Sequence, residues 1–279
     1  MPEGTEALID LALAEDIGDG DHTTLGTIPA ITKGSARLLV KSNGVLAGVE
    51  VAQAIVHRFD PDLHMRTLIG DGATVAVGDI AFTLSGSARS ILTVERVLLN
   101  FMQRMSGIAT LTRAFVDAID GTACNVLDTR KTTPGMRALE KWAVRLGGGM
   151  NHRHGLYDMV MIKDNHTDIS GGLPGAIRAA KEYLDAKRLN LGIEVETRNL
   201  KEVEQVLATG GVQRIMLDNF NFDDLRKAVL LIGKRFETEA SGGITLVNAR
   251  RFAECGVDFI SVGALTHSVP SLDLSLKAM

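Results

Sequence analysis

The strongest chemical signal in the sequence is an excess of positive charge between residues 130 and 163. In this stretch seven side chains are lysine or arginine and only two are carboxylates, although the whole chain has a net charge of −4. The seven cations are Arg130, Lys131, Arg137, Lys141, Arg145, Arg153 and Lys163. A solvated helix face is the ordinary explanation of such a charge run. Here several cations follow predicted strands or Gly-rich turns, and this placement favours a binding site for an anion.

Carboxylates and glycine turns follow other predicted strands further along the chain. In chain order the strand ends carry Thr129, Arg130, Lys131, His152, Arg153, Lys163, Glu196, Asp218, Ser241, Gly242, Gly243, Val262, Gly263 and Ala264. Arginine binds carboxylate or phosphate through paired hydrogen bonds, and lysine binds either one as a point charge. Two carboxylates in a positive pocket suit a Mg²⁺ ion that bridges phosphates, or a carbon that becomes cationic during reaction. The glycine turns let backbone N–H groups approach a phosphate.

Some of these residues have competing interpretations. Lys163 is a candidate Schiff-base lysine, because neighbouring cations would favour its neutral amine. His152 and His154 have the spacing of a metal pair on a strand, but no third ligand lies close in sequence, so we expect His152 to donate a hydrogen bond to an anion. Glu194 and Glu196 share one strand face, and Glu196 is the candidate because it lies nearer the strand end.

The elements that must position these side chains form a regular array. Six apolar segments read as strands with amphipathic helices between them: 125–131, 158–165, 192–197, 214–219, 236–243 and 258–264. The last four begin 22 residues apart, which is typical of repeated βα units in a parallel sheet. Residues 151–154 are a candidate for one more short strand. Polar residues at the strand ends favour an incomplete α/β barrel of about seven strands over a doubly wound sheet.

The first third of the chain predicts a smaller α/β unit with an open-faced sandwich architecture. Short strands alternate there with helices, and residues 15–24 read as a polar loop. An apolar stripe from Ile91 to Met105 predicts a helix, with Arg96 on a polar row and with an interruption at Gly107. We expect residues 1–106, joined by 266–279, to form this N-terminal domain, and residues 107–265 to form the barrel domain.

Composition excludes several classes of protein. With 45% hydrophobic and 23% charged residues, the chain has the values of a globular domain and not of a disordered or fibrous protein. No apolar run reaches the ~20 residues that span a bilayer, and the N-terminus lacks the layout of a signal peptide. Only two cysteines, Cys124 and Cys255, are present, so we expect a reducing, cytoplasmic location. The net negative charge argues against a nucleic-acid partner.

Seven ordered motifs resemble one enzyme family over nearly the whole chain. They are DTRKTTPGMR, GGGMNHRHGLYD, MIKDNH, EVE, IMLDN, EASGGI and FISVGALTHS, and the segments EDIGDGDHTT and VERVLLNFMQRMSGIAT resemble the same family. The family is nicotinate-nucleotide pyrophosphorylase (carboxylating), also called quinolinate phosphoribosyltransferase. The resemblance implies synthesis of nicotinate mononucleotide from quinolinate and phosphoribosyl pyrophosphate (PRPP), with release of pyrophosphate and CO₂, for de novo NAD synthesis.

The resemblance also implies residue roles. Arg130, His152, Arg153 and Lys163 would bind the quinolinate carboxylates, with Lys131 between the two substrates. Glu196 and Asp218 would hold Mg²⁺ and the ribose hydroxyls, and with Lys131 they are the expected catalytic residues. The turns 241–243 and 262–264 would hold the 5′-phosphate.

Arg96 matches a family arginine that reaches the neighbouring subunit's site, which implies a homodimer. Assembly of such dimers into a hexamer stays open. Three alternatives stay open. One is a relative of the same fold with another acceptor, such as the molybdenum-transport-associated protein. The others are a Schiff-base aldolase that uses Lys163 and a phosphate-sensing binding protein.

Overall fold

The computed structural model describes all residues from 1 to 279 and divides them into two compact units. Unit 1 comprises Met1–Arg113, Thr132–Gly148 and Leu265–Met279. Unit 2 comprises Ala114–Lys131 and Gly149–Ala264. No helix combines the length and the apolar composition that a membrane crossing needs.

The helices are α1 Thr5–Ile17, α2 His22–Thr27, α3 Val49–Phe59, α4 Ala88–Ala118, α5 Arg137–Leu146, α6 Asp164–Ile169, α7 Leu173–Lys187, α8 Leu200–Thr209, α9 Phe222–Ile232, α10 Ala249–Ala253 and α11 Ala264–His267. The strands are β1 Lys33–Val40, β2 Gly44–Val45, β3 His64–Thr67, β4 Thr74–Val75, β5 Ile80–Ser87, β6 Asn125–Leu127, β7 Val160–Ile162, β8 Ile193–Thr197, β9 Arg214–Asp218, β10 Glu237–Ser241, β11 Phe259–Ser261 and β12 Leu274–Ala278.

Unit 1 is built on a four-stranded antiparallel sheet in the order β12-β1-β5-β3. Alternate residues of these strands point to one face, where Leu38 and Phe82 pair across β1 and β5. Both side chains are fully buried in a cluster that also contains Leu98 and Met102 of α4. The last strand of the chain, β12, therefore completes the sheet of the first unit.

Unit 2 is built on six parallel strands in the order β6-β11-β10-β9-β8-β7. The predicted α/β class and the parallel array are confirmed, and β8 to β11 begin within one residue of the predicted positions. One parallel bridge, between Leu127 and Met150, lies beside β6. No backbone pairing joins that edge to β7, so closure into a barrel stays a prediction.

Some local predictions were wrong. Residues 151–154 form no strand, because Asp128 and Asp158 bond their backbone N–H groups in place of a strand partner. The predicted loop at 15–24 contains the end of α1 and the start of α2. Asp21 caps the first turn of α2, because its side chain accepts a hydrogen bond from the backbone N–H of Thr24.

The predicted interruption at Gly107 was also wrong, since α4 runs without a break from Ala88 to Ala118. A side chain at position 107 would overlap with the carbonyl oxygen of Pro270 and lie 3.2 Å from the Cα of Ser271. Glycine at this position therefore allows another backbone segment to approach the helix closely.

We predict that Gly107→Ala destabilises the protein by roughly 1–3 kcal/mol, because the added methyl group must displace the backbone at Pro270. The free energy of unfolding from urea denaturation measures this effect. The matched control is Gly26→Ala in α2, where nothing lies within 4 Å of the added Cβ and stability should stay equal or rise slightly. Equal stability of both variants would contradict the packing argument.

Candidate active site

The carboxyl ends of the parallel strands of unit 2 enclose a cavity of about 480 Å³. It is lined by Thr129, Arg130, Lys131, His152, Arg153, Met161, Lys163, Asp164, Asn165, Glu196, Met216, Asp218, Glu239, Ser241 and Ser261. A parallel sheet brings the carboxyl ends of its strands to one edge, which explains why residues far apart in sequence meet here. A larger cavity of about 660 Å³ in unit 1 carries no group of cations.

Nine of the predicted site residues line this cavity: Thr129, Arg130, Lys131, His152, Arg153, Lys163, Glu196, Asp218 and Ser241. The remaining residues of the two predicted phosphate turns follow the ends of β10 and β11. Among them Val262 is buried, and its N–H donates to the carbonyl of Leu127 at 2.9 Å. Arg96 is an exposed residue on α4 and is not among the residues that line the cavity.

A buried carboxylate, Asp128, holds the His152 segment beside β6. Its Oδ1 accepts a hydrogen bond from the backbone N–H of His152 at 2.8 Å, and its Oδ2 accepts one from Nδ2 of Asn151 at 2.6 Å. Asp128 is fully buried, and such a carboxylate is stable only when hydrogen bonds compensate for lost solvation. The arrangement fixes the chain just before Arg153.

Arg153 lies between other charges at this edge of the sheet. Its Nη1 donates to the carbonyl of Met159 at 3.1 Å. Partial burial, and then the neighbouring charge of Arg130, lower the pKa of Arg153. Two guanidinium groups held close together in a shielded place form a strong binding site for a carboxylate or a phosphate.

Lys163 follows β7 and forms an ion pair across the cavity with Glu196 of β8, with 2.8 Å between Nζ and Oε2. Glu196 shares its strand with Glu194, but the two carboxylates have different surroundings. Glu196 lines the cavity, whereas Glu194 is completely buried beneath it. The sequence-based choice of Glu196 as the cavity residue agrees with this placement.

Asp218 ends β9, and the next residue orients its carboxylate. Asn219 has the left-handed φ of 56°, and its Nδ2 donates to Asp218 Oδ2 at 2.6 Å. The backbone N–H of Asn219 donates to the carbonyl of Ser241 at 2.9 Å. A side chain at Gly242 would overlap with Asn219 Oδ1, so this glycine leaves space for the amide that holds Asp218.

Sequence reasoning missed several residues that line the cavity. Met161 and Met216 are strand residues whose side chains reach the cavity, and Ser261 ends β11. Glu239 was missed because it lies inside β10, two residues before the strand end, and alternation along the strand is the only signal that marks it.

Glu239 is fully buried, and the fully buried carboxylate of Glu194 lies close to it. Burial, and then the charge of Glu194, raise the pKa of Glu239 to about 8. At neutral pH this carboxyl therefore keeps its proton in the folded protein.

Comparisons with known proteins agree with this geometry. The chain matches the family model "Quinolinate phosphoribosyl transferase, C-terminal domain" over residues 108–277 and the corresponding N-terminal domain over residues 21–106. The chain belongs to the quinolinate phosphoribosyl transferase family. The two matched regions include most of both units and leave out only residues 1–20, 107 and 278–279.

Similar proteins cover nearly the whole chain. The chloroplastic nicotinate-nucleotide pyrophosphorylase [carboxylating] of Arabidopsis thaliana is 50% identical over 98% of this chain and 82% of its own length. A probable nicotinate-nucleotide pyrophosphorylase of Synechocystis is 46% identical over 95% of this chain and 89% of its own length. Among solved structures, NadC from Streptococcus pyogenes is 39% identical, with a TM-score of 0.94 over 100% of this chain and 98% of that chain.

We predict that the pKa of Glu239 makes stability depend on pH. Between the ordinary glutamate pKa of 4.5 and the folded value of about 8, the folded protein binds one proton more at this residue than the unfolded chain. Its contribution to the free energy of unfolding therefore falls as pH rises, by at most ~1.4 kcal/mol per pH unit.

This slope is measured by denaturant unfolding at several values of pH between 5 and 8, carried out on the wild type and on Glu239→Gln. Glutamine does not titrate, so the wild type should lose stability relative to the variant as pH rises. Parallel curves would show that Glu239 does not hold its proton.

Proposed function

We propose that the chain transfers the phosphoribosyl group of PRPP to quinolinate and forms nicotinate mononucleotide, pyrophosphate and CO₂. The observation that carries this proposal is the charge pattern of one cavity, in which four lysines and arginines face Glu196 and Asp218. Quinolinate is a dianion and PRPP a polyanion, so both substrates need cations. The names of the relatives, which are 50% and 46% identical to this chain over the aligned regions, support the same reaction.

Most cations of the cavity bind quinolinate, and one lies between the two substrates. Arg130, Arg153 and Lys163 bind the carboxylates of quinolinate, with His152 beside them, and Lys131 lies between quinolinate and PRPP. Lys163 is paired with Glu196 at 2.8 Å, so a quinolinate carboxylate that reaches Lys163 competes with Glu196 for the ammonium. This competition releases the Glu196 carboxylate toward the ribose of PRPP.

The reaction breaks the bond between C1 of the ribose and pyrophosphate and forms a bond between C1 and the quinolinate nitrogen. C1 gains positive charge as pyrophosphate leaves, and the carboxylates of Glu196 and Asp218 stabilise that charge. The bond from C2 of the ring to its carboxylate then breaks, and CO₂ leaves. The electron pair stays on C2, where the positive ring nitrogen stabilises it until a proton adds.

Glu196 and Asp218 also suit the Mg²⁺ ion that accompanies PRPP. Both are carboxylates on neighbouring strands that line the same cavity, and oxygen is the donor that Mg²⁺ prefers. When bound, the ion neutralises charge on the leaving pyrophosphate. The turns at 241–243 and 262–264 hold the 5′-phosphate through backbone N–H groups other than that of Val262, which already donates to Leu127.

The proposal includes a cytoplasmic homodimer in which Arg96 enters the site of the partner subunit. Arg96 is exposed on α4, where a second copy of the chain has access to it. Two free, buried cysteines, Cys124 and Cys255, are consistent with a reducing compartment. No observation favours the aldolase alternative, because an ammonium bonded to Glu196 is a poor nucleophile.

We predict that Arg153→Ala lowers kcat/KM for quinolinate by at least ~100-fold, because a paired arginine–carboxylate contact is lost in a shielded site. The measurement follows nicotinate mononucleotide and CO₂ together in the presence of quinolinate, PRPP and Mg²⁺. The matched control is Arg178→Ala, an exposed arginine of α7 in the same unit, which should leave turnover unchanged.

Two outcomes would contradict this proposal. Near-normal turnover by Arg153→Ala would remove this residue from the site. A folded wild type that forms neither product would indicate a relative with another acceptor, and trapping of a carbonyl substrate on Lys163 by borohydride would indicate the aldolase.

A mixing experiment tests the shared site. Arg96→Ala and Lys131→Ala should each be inactive as homodimers, whereas co-expression should restore about a quarter of wild-type activity. A mixed dimer contains one site with Lys131 from one subunit and Arg96 from the other, and both are intact. If Arg96 instead serves its own subunit, mixing will restore nothing.

A further inference from the structure

A group of buried side chains at the cavity wall and behind it has no part in the proposed bond-making steps. Glu194 and Glu239 are fully buried, and His152 is 7% exposed. Nitrogen and oxygen atoms of these three side chains lie within 4.8 Å of one another. Arg214 contacts the same group, since its Nη1 donates to Glu239 Oε2 at 3.1 Å.

Both ring nitrogens of His152 face groups inside the protein. Nδ1 accepts a hydrogen bond from the backbone N–H of Arg153 at 2.7 Å, so this nitrogen carries no proton. The proton of the neutral ring is then on Nε2, which lies 2.8 Å from Glu194 Oε2 and 3.5 Å from Glu239 Oε2. The Nε2 atom is itself buried and faces these two carboxylates, so it is not open to a substrate carboxylate.

We propose that Glu194, Glu239 and Arg214 are positioning residues that hold His152 in its Nε2–H tautomer, and that His152 in turn fixes Arg153 toward the substrate. His152 thus acts through its neighbour and does not contact quinolinate. The identity of the substrate rests on the proposed function, whereas the tautomer assigned to His152 does not.

The charges of the group agree with a positioning role and not with a bound divalent cation. Arg214 already supplies a positive partner to Glu239, and it also binds Glu237 at the exposed end of β10. Glu194 attracts the neighbouring charges of Arg153 and Lys163. The two buried carboxylates therefore have cations on both sides of them.

The tautomer can be measured without substrate. Nitrogen-15 NMR of the full chain labelled at histidine should show His152 with a protonated Nε2 and a bare Nδ1, its signals assigned by their loss in His152→Asn. Glu194→Ala should lose this fixed pattern. A protonated Nδ1 in the wild type would overturn the proposal.

Kinetics test the consequence for Arg153. Glu194→Ala should raise KM for quinolinate about tenfold, because a loss of affinity of that size corresponds to the loss of one hydrogen bond. The changes in kcat and in KM for PRPP should be smaller. Glu194→Gln keeps an acceptor for Nε2–H and should restore most of the affinity. The matched control is Glu237→Ala, which removes only the exposed partner of Arg214 and should leave KM unchanged.

Each remaining outcome has a defined meaning. An unchanged KM in Glu194→Ala would overturn the proposal, as would a Gln variant as impaired as the Ala variant. If Glu194→Ala does not fold, the wild-type tautomer and the KM of Glu194→Gln decide the question. A wild type that does not convert quinolinate would overturn the proposed function, and NMR alone would then decide the role of Glu194.

Discussion

Repulsion between like charges is the constraint on which the cavity of unit 2 depends. The parallel sheet brings Arg130, Arg153 and Lys163 to one edge, and partial burial, together with the charge of Arg130, lowers the pKa of Arg153. Carboxylates from neighbouring strands reduce that repulsion. Glu196 forms an ion pair with Lys163, and the charge of Glu194 attracts Arg153. The compensation is partial, because the cations of the cavity still outnumber its ionised carboxylates. The remaining positive charge is what draws an anionic substrate.

Such a site functions only if its charges cannot relax toward solvent or toward one another. Backbone hydrogen bonds supply the rigidity. Asp128 holds the backbone ahead of Arg153, and Asn219 holds the carboxylate of Asp218 in the space that Gly242 leaves open. These supporting residues bind no substrate in the proposed reaction, yet a shift of any of them moves a charged group that does.

The sequence predicted the parts of the molecule that repeat or that lie at strand ends. The 22-residue spacing located β8 to β11, and strand-end placement selected nine residues that line the cavity. Such patterns do not predict contacts between segments that are distant in sequence. Gly107 reads as a helix breaker until Pro270 is seen against it, and Glu239 reads as a strand residue until Glu194 and His152 are seen beside it. The motifs that resemble the family identified charged residues at the cavity but not the buried group that supports them.

The ion pair between Lys163 and Glu196 joins the two halves of the proposed chemistry. Lys163 belongs to the cations that bind the dianion, and Glu196 belongs to the carboxylates that stabilise positive charge on the ribose. An anion that binds Lys163 weakens its hold on Glu196, and a cationic centre that binds Glu196 weakens its hold on Lys163. Because such coupling is reciprocal, each substrate should favour the binding of the other. In the proposed reaction, one contact between two adjacent strand ends thus links acceptor binding to the group that assists departure of pyrophosphate.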